Sequence, residues 1–263
     1  MPRGKSSSRR PGFWPWFDQY GKYILSVQVA IAAIGLVVIA QGAVKPNIGN
    51  AEPRPIPTFG VQQPTETEQA ATPLVRPTDR DIGVVFAGDS LTYGLFASAE
   101  EKGYRPQVVA ALEKDGPVEW SRGGQTGNKI QAVSDSITFP ATTDLVILEL
   151  GTNDVWKTAQ ADIPAQYDAL IAKAKASAPN VKIVCVGVWS DVDGRRNYDA
   201  PIQKSCESAG GAFLSLADIY DAEGTKGPAG KESFGGVSDN FHPNDTGYRA
   251  IADLILGELG VAR

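Results

Sequence analysis

One histidine, two cysteines and one methionine are all that the 263 residues hold of these types. A structural zinc site takes four Cys or His ligands and a catalytic one usually three, so a Cys/His zinc cluster is excluded. The chain also lacks a basic excess. Its 25 Lys plus Arg face 30 Asp plus Glu, a net charge of −5, which argues against a nucleic-acid partner. No cysteine stands near the N-terminus, so a lipid-modified cysteine anchor is ruled out. Hydrophobic residues at 42% and aromatics at 8% are too many for a wholly disordered chain. The length fits one or two domains.

Charge is missing altogether from one stretch. Residues 23–44, YILSVQVAIAAIGLVVIAQGAV, contain no ionisable acid or base except tyrosine. As a helix they span roughly 33 Å, enough to cross a bilayer core of about 30 Å. Ahead of them, residues 1–22 carry Arg3, Lys5, Arg9, Arg10 and Lys22 against Asp18 alone. The positive-inside rule keeps this basic tail cytoplasmic and sends the rest outside. Trp14, Trp16, Phe17, Tyr20 and Tyr23 suit the headgroup layer. The expectation is a single-pass signal-anchor in the cytoplasmic membrane. A cleavable leader has a shorter apolar core of about 7–15 residues, and Ala40-Gln41-Gly42 matches a cleavage site only loosely; cleavage there would make the protein secreted. Residues 45–80 hold seven of the 18 prolines and few apolar clusters, the composition of an extended linker.

From residue 81 to 263 the pattern becomes that of one folded domain. Apolar runs at Ile82–Ala87, Val118–Trp120, Leu145–Leu150, Val181–Val188 and Ala212–Leu216 read as strands. Helical patterns at 103–114, 126–137, 163–177, 197–209 and 244–259 alternate with them. Such alternation indicates an α/β fold with a parallel sheet covered on both faces.

Ligands of open parallel sheets bind at the carboxyl ends of the strands. The first strand ends in Gly88-Asp89-Ser90-Leu91-Thr92-Tyr93-Gly94, the second in Ser121-Arg122-Gly123-Gly124-Gln125. The third ends in Gly151-Thr152-Asn153-Asp154. Asp239-Asn240-Phe241-His242-Pro243 precedes the last helix. A serine hydroxyl needs a base to become a nucleophile, and His242 is the only histidine. Asp239 can orient that imidazole, with Asp245 equally three residues away on the other side. The Ser90 N–H, an N–H of the Gly123-Gly124 turn and the Asn153 amide can receive an oxyanion. Asp89 and Asp154 read as turn organisers, and Asp191 with Asp193 as a solvated loop. A metal site from Asp89, Asp154 and Asp239 would compete with these roles, so no metal is expected.

Together GDSLTYG, the glycine turn, GTND and DNFHP resemble the four blocks of the SGNH (GDSL) hydrolase superfamily, in the same order and over most of residues 82–258. The resemblance implies a three-layer α/β/α sandwich with a five-stranded parallel sheet, flavodoxin-like in outline. It implies Ser90 as nucleophile, Asp239 and His242 as the rest of a triad, and Ser90, Gly124 and Asn153 as the oxyanion hole. Gln125 departs from the Asp that many members carry after the oxyanion glycine, which leaves the substrate class open. Tyr93, Trp156 and Trp189 are expected to line the substrate site. The activity so implied is a serine esterase needing no cofactor, acting on an acyl ester, and the outward location suggests a cell-envelope glycan or glycolipid. An O-acyltransferase using the same residues is the alternative, and a non-catalytic envelope-binding module a further one. Cys185 and Cys206 are either a disulfide, which an exported domain permits, or two buried thiols.

Overall fold

The computed structural model describes residues 73–262. The expected basic tail and signal-anchor and most of the expected linker lie outside the described residues. Among the described residues no helix is long and apolar enough to cross a membrane.

Five parallel strands form the central sheet: β1 (Ile82–Gly88), β2 (Val118–Gly123), β3 (Thr143–Glu149), β4 (Lys182–Val186) and β5 (Ala212–Leu214). Their order is β2-β1-β3-β4-β5. Alternate residues of each strand feed opposite faces. Val85, Ala87, Val146, Leu148 and Ile183 pack beneath α3 (Ile130–Ser136), α4 (Ile163–Ser177) and α5 (Val192–Ser208) through Val133, Tyr167, Leu170 and Ile202. Val84, Phe86, Leu145, Ile147 and Val186 pack beneath α2 (Tyr104–Leu112) and α7 (Asp245–Leu259) through Tyr104, Val108, Tyr248, Ile251 and Ile255. Short helices α1 (Ser90–Tyr93) and α6 (Ala217–Asp221) and a hairpin of β6 (Glu232–Ser233) with β7 (Gly236–Val237) complete the domain. The result is the expected three-layer α/β/α sandwich.

The boundaries of several elements differ from the sequence reading. β2 runs on to Gly123 because it stays paired with β1 as far as Ala87. β4 and β5 are shorter than their apolar runs, since the residues beyond them turn into the rim loops. The helix after β4 begins at Val192 rather than 197. Asp191 caps it, accepting the Gly194 N–H at 2.9 Å, and Asp193 lies in its first turn, where negative charge favours the exposed N–H groups. Cys185 on β4 and Cys206 on α5 form a disulfide with Cα atoms 6.3 Å apart.

The chain enters the domain at the amino ends of the strands. Leu74 N–H donates to the Leu259 carbonyl at 3.2 Å. The Arg76 guanidinium donates to the carbonyls of Leu112 at 3.1 Å and Pro117 at 2.8 Å.

Candidate active site

Ser90 owes its place to a tight crossing of backbones. Gly88 ends β1 where an added Cβ would meet Thr92 Oγ1 at 1.8 Å and the Glu149 carbonyl at 2.9 Å. Only a glycine lets the chain bend there into α1. Asp89 caps that helix, its Oδ1 accepting the Leu91 N–H at 3.1 Å, and Ser90 follows at the first helical position, 4% exposed.

The opposing base comes from the loop before α7. Asp239 Oδ1 accepts the backbone N–H groups of Phe241 (2.9 Å) and His242 (2.8 Å), closing a turn that presents the imidazole. Asp239 Oδ2 lies 2.7 Å from His242 Nδ1, and His242 Nε2 lies 3.0 Å from Ser90 Oγ. These partners assign the tautomer: Nδ1–H donates to the carboxylate and Nε2 accepts the serine proton. Phe96 and Phe241 meet the imidazole edge-on, with centroids 5.0 and 5.2 Å away. Asn244, two residues on, ties the loop down by donating to the carbonyls of Gly224, Lys226 and Gly227 while its oxygen caps α7.

Two further sequence-named groups converge on the serine turn. Gly124 has φ +99°, and a Cβ there would meet the Gly88 carbonyl at 2.0 Å, so the second rim loop presses directly on the turn that carries Ser90. This singles out Gly124 over Gly123, which is still part of β2. The Asn153 amide donates to Asp89 Oδ2 at 2.7 Å and to the Asn128 carbonyl at 3.1 Å. Asp154 organises its turn as expected, accepting the Ile130 N–H at 3.0 Å and the Thr158 hydroxyl at 2.7 Å. Asp245 is turned elsewhere: it accepts from the Ser98 N–H and hydroxyl. That leaves Asp239 as the acid on His242.

The acids around Ser90 sit in contrasting fields. Burial pushes Asp239 upward, but its hydrogen bonds from the His242 backbone and ring and the Phe241 N–H outweigh this and hold it below its ordinary 3.8. Burial drives Asp89 up to about 6 despite its hydrogen bonds from Leu91, Asn153 and Ser90. Glu149, at the end of β3, is fully buried and raised well above its ordinary value, first by burial and then by the neighbouring Asp89 charge. Among the described residues no group of three or more His, Cys, Asp or Glu is placed to hold a metal ion.

The three aromatic residues fall in different places. Trp156 is 64% exposed, at φ +60°, with its N–H held by the Tyr198 hydroxyl at 3.0 Å. Tyr93 is half-buried, stacked on Phe234 and beneath the Arg122 guanidinium. Trp189 has no exposed surface. Its indole N–H donates to the Phe241 carbonyl at 2.7 Å, so it supports the histidine loop from behind instead of facing the rim. Sequence reasoning missed Phe96, Asn244 and Glu149. An acid inside the apolar run LVILEL was the available signal for the last. A cavity of about 650 Å³ lies elsewhere, at the amino ends of the strands between Leu74, Arg76, Lys182, Phe213 and Glu258, and is not part of this site.

A parallel sheet with a Ser–His–Asp line across its carboxyl edge defines a serine hydrolase. The profile of the GDSL-like lipase/acylhydrolase family matches residues 86–250. The chain belongs to this family, with the SGNH fold, and is a serine esterase of that type. Solved structures agree in fold. TesA matches with a TM-score of 0.55 at 15% identity, over 67% of this chain and 97% of its own. A family 3 carbohydrate esterase of Clostridium thermocellum matches with 0.54 at 18%, over 68% and 94%. A catalytic mutant of Axe2, an acetylxylan esterase from Geobacillus stearothermophilus, matches with 0.55 at 17%, over 72% and 97%. No curated protein matches the sequence.

Proposed function

We propose that this chain is an exported, membrane-tethered esterase that cleaves an acyl ester of a cell-envelope glycan or glycolipid through a covalent acyl-enzyme. The observation that carries the catalytic reading is the unbroken line from Ser90 Oγ to His242 Nε2 at 3.0 Å and from Nδ1 to Asp239 at 2.7 Å. Ser90 Oγ attacks the ester carbonyl as its proton passes to Nε2. The N–H groups of Ser90 and Gly124 and the Asn153 amide receive the oxyanion. The longer Asn153 bond, that to the Asn128 carbonyl, is the one that gives way. His242 returns the proton to the leaving alcohol, and water repeats the sequence to free the acid.

The substrate class rests on two supports. Trp156, exposed three residues beyond Asn153, offers a flat apolar face suited to a sugar ring. Similar folds include proteins described as carbohydrate and acetylxylan esterases. Tyr93 contributes a second aromatic surface, and Trp189 acts through the Phe241 carbonyl. The tether rests on the uncharged stretch 23–44 behind a basic tail.

The test uses the full chain. It should release nitrophenol from short nitrophenyl esters and take up a fluorophosphonate label, and Ser90→Ala should do neither. Equal rates for the two proteins would overturn the catalytic reading. Acetate released from acetylated glycans faster than fatty acid from long-chain esters would support the sugar reading, and the reverse order would sink it. Recovery of the native protein with the soluble fraction, its N-terminus near residue 43, would remove the tether.

A further inference from the structure

Two acids lie under the nucleophile with no exposed surface, Asp89 and Glu149. Their hydrogen-bond inventory is unequal. Asp89 Oδ1 accepts the Leu91 N–H at 3.1 Å, and Oδ2 accepts the Asn153 amide at 2.7 Å. Glu149 Oε2 accepts the Thr92 N–H at 3.1 Å and the Thr92 hydroxyl at 2.9 Å, with the Tyr104 hydroxyl 2.6 Å behind Thr92. Glu149 Oε1 is buried and receives no donor.

An ionised carboxylate only accepts, so a buried oxygen without a donor forfeits its hydration for nothing. An oxygen that carries the proton of a carboxylic acid has no such deficit, because it needs an acceptor instead. The Asp89 side chain is the acceptor the fold places beside it, since Gly88, one residue earlier, pairs with Glu149 across β1 and β3, and two such neighbouring acids are relieved by a single proton between them. Which acid holds it follows from their partners. Asp89 has donors on both oxygens, the pattern of an anion, whereas Glu149 has them on one.

The groups packed around Glu149 offer no compensating cation. Arg105 on α2 is turned to the Thr92 carbonyl (3.4 Å) and to Glu100 (3.1 Å). Tyr104 on the same helix, Tyr167 on α4 and Tyr248 on α7 are all pushed upward, first of all by burial, and so stay neutral. Two buried carboxylates without a cation between them are far costlier than one.

We infer that Glu149 is kept as a neutral acid whose proton is donated to the Asp89 carboxylate, so that one negative charge beneath Ser90 holds the Asn153 amide in place. This rests on the esterase reading of the site. Glu149 is then a positioning residue, acting through Asp89 on the amide that meets the oxyanion. Its proton serves two ends. It fixes the rotamer of Asp89, and it keeps a second negative charge away from the place where an oxyanion forms.

Infrared difference spectroscopy on the full chain reads the proton directly. At neutral pH the protein should show the carbonyl stretch of a protonated carboxylic acid, and Glu149→Gln should lose that band. Gln also offers a neutral donor of the same shape, so Glu149→Gln should keep kcat/KM close to that of the parent. Its activity should no longer fall where Glu149 ionises on the alkaline side. Glu149→Met fills the same space without a donor and should lower kcat by about 10²-fold with KM unchanged, the scale of a misplaced oxyanion donor. Absence of the band in the parent, or its persistence in Glu149→Gln, would overturn the inference. So would a Gln variant as poor as the Met variant. The infrared result needs neither substrate nor turnover, so a band that behaves as stated in a protein that cleaves no ester would refute the esterase reading alone.

Discussion

Asp239 stands on a loop with 42% of its side chain exposed, and backbone and ring donors hold it ionised. On the other side of Ser90, Asp89 and Glu149 have no contact with solvent, and between them the charge is reduced to one by a shared proton. The same residue chemistry thus does two jobs under two dielectric regimes. At the exposed loop, donors are enough to keep a carboxylate charged. In the floor they are not, and neutralising one acid costs less than solvating two. Orientation of the base is left to a group that water can reach, while orientation of an oxyanion donor is built into the core.

Variants can break this comparison. Ser90→Ala removes what both regions serve and should lower ester hydrolysis by on the order of 10⁶-fold, measured as kcat on a nitrophenyl ester. Asp239→Asn attacks the exposed side alone. It should lower kcat by up to about 10⁴-fold through the wrong histidine tautomer. Because the fold holds Asp239 below its ordinary 3.8, its contribution to stability is present above that value. It is lost as pH falls through the depressed value, and the Asn variant should show a shallower acid limb in a pH series of melting curves.

A third variant serves as a control remote from both regions. The Cys185–Cys206 bridge closes a sequence separation of 21 residues. Its loss in Cys206→Ser should destabilise by about 3 kcal/mol on the chain-entropy account. That corresponds to a drop of roughly 6–12 °C in melting temperature for a domain of this size. Activity below the transition should persist.

The smallest expected effect extends the comparison to another acid. Burial raises Asp199 to about 6 although its Oδ1 accepts the Val188 N–H at 2.8 Å. An acid raised by folding makes the domain most stable below its ordinary 3.8 and less so as pH rises to about 6. Asp199→Asn keeps an acceptor for Val188 and should flatten that decline, read from unfolding curves across the window. Part of the slope should remain, since Asp89 titrates with the same sign.

The catalytic line was legible because its residues occupy contiguous turns at strand ends, where small and polar side chains interrupt apolar runs. GDS, GTND and DNFHP announce themselves for that reason. Glu149 does not, because its partner Asp89 follows another strand and only the pairing of β1 with β3 brings the two together. By sequence Trp189 reads as a rim residue, as an aromatic after a strand commonly is. The structure instead gives its two N–H groups acceptors in the Thr152 hydroxyl and the Phe241 carbonyl and leaves Trp189 with no exposed surface. The first turn of α5 was hidden by its composition: Val192-Asp-Gly-Arg-Arg-Asn has no apolar period, and only the Asp191 cap marks the start.

The entry of the chain beside Leu259 and Pro117 has a mechanical consequence. A pull through residue 73 is taken up by the Leu74 and Arg76 bonds at the amino ends of the strands. Ser90, Asn153 and His242 are at the opposite pole. A load that enters the domain through residue 73 does not pass through the triad.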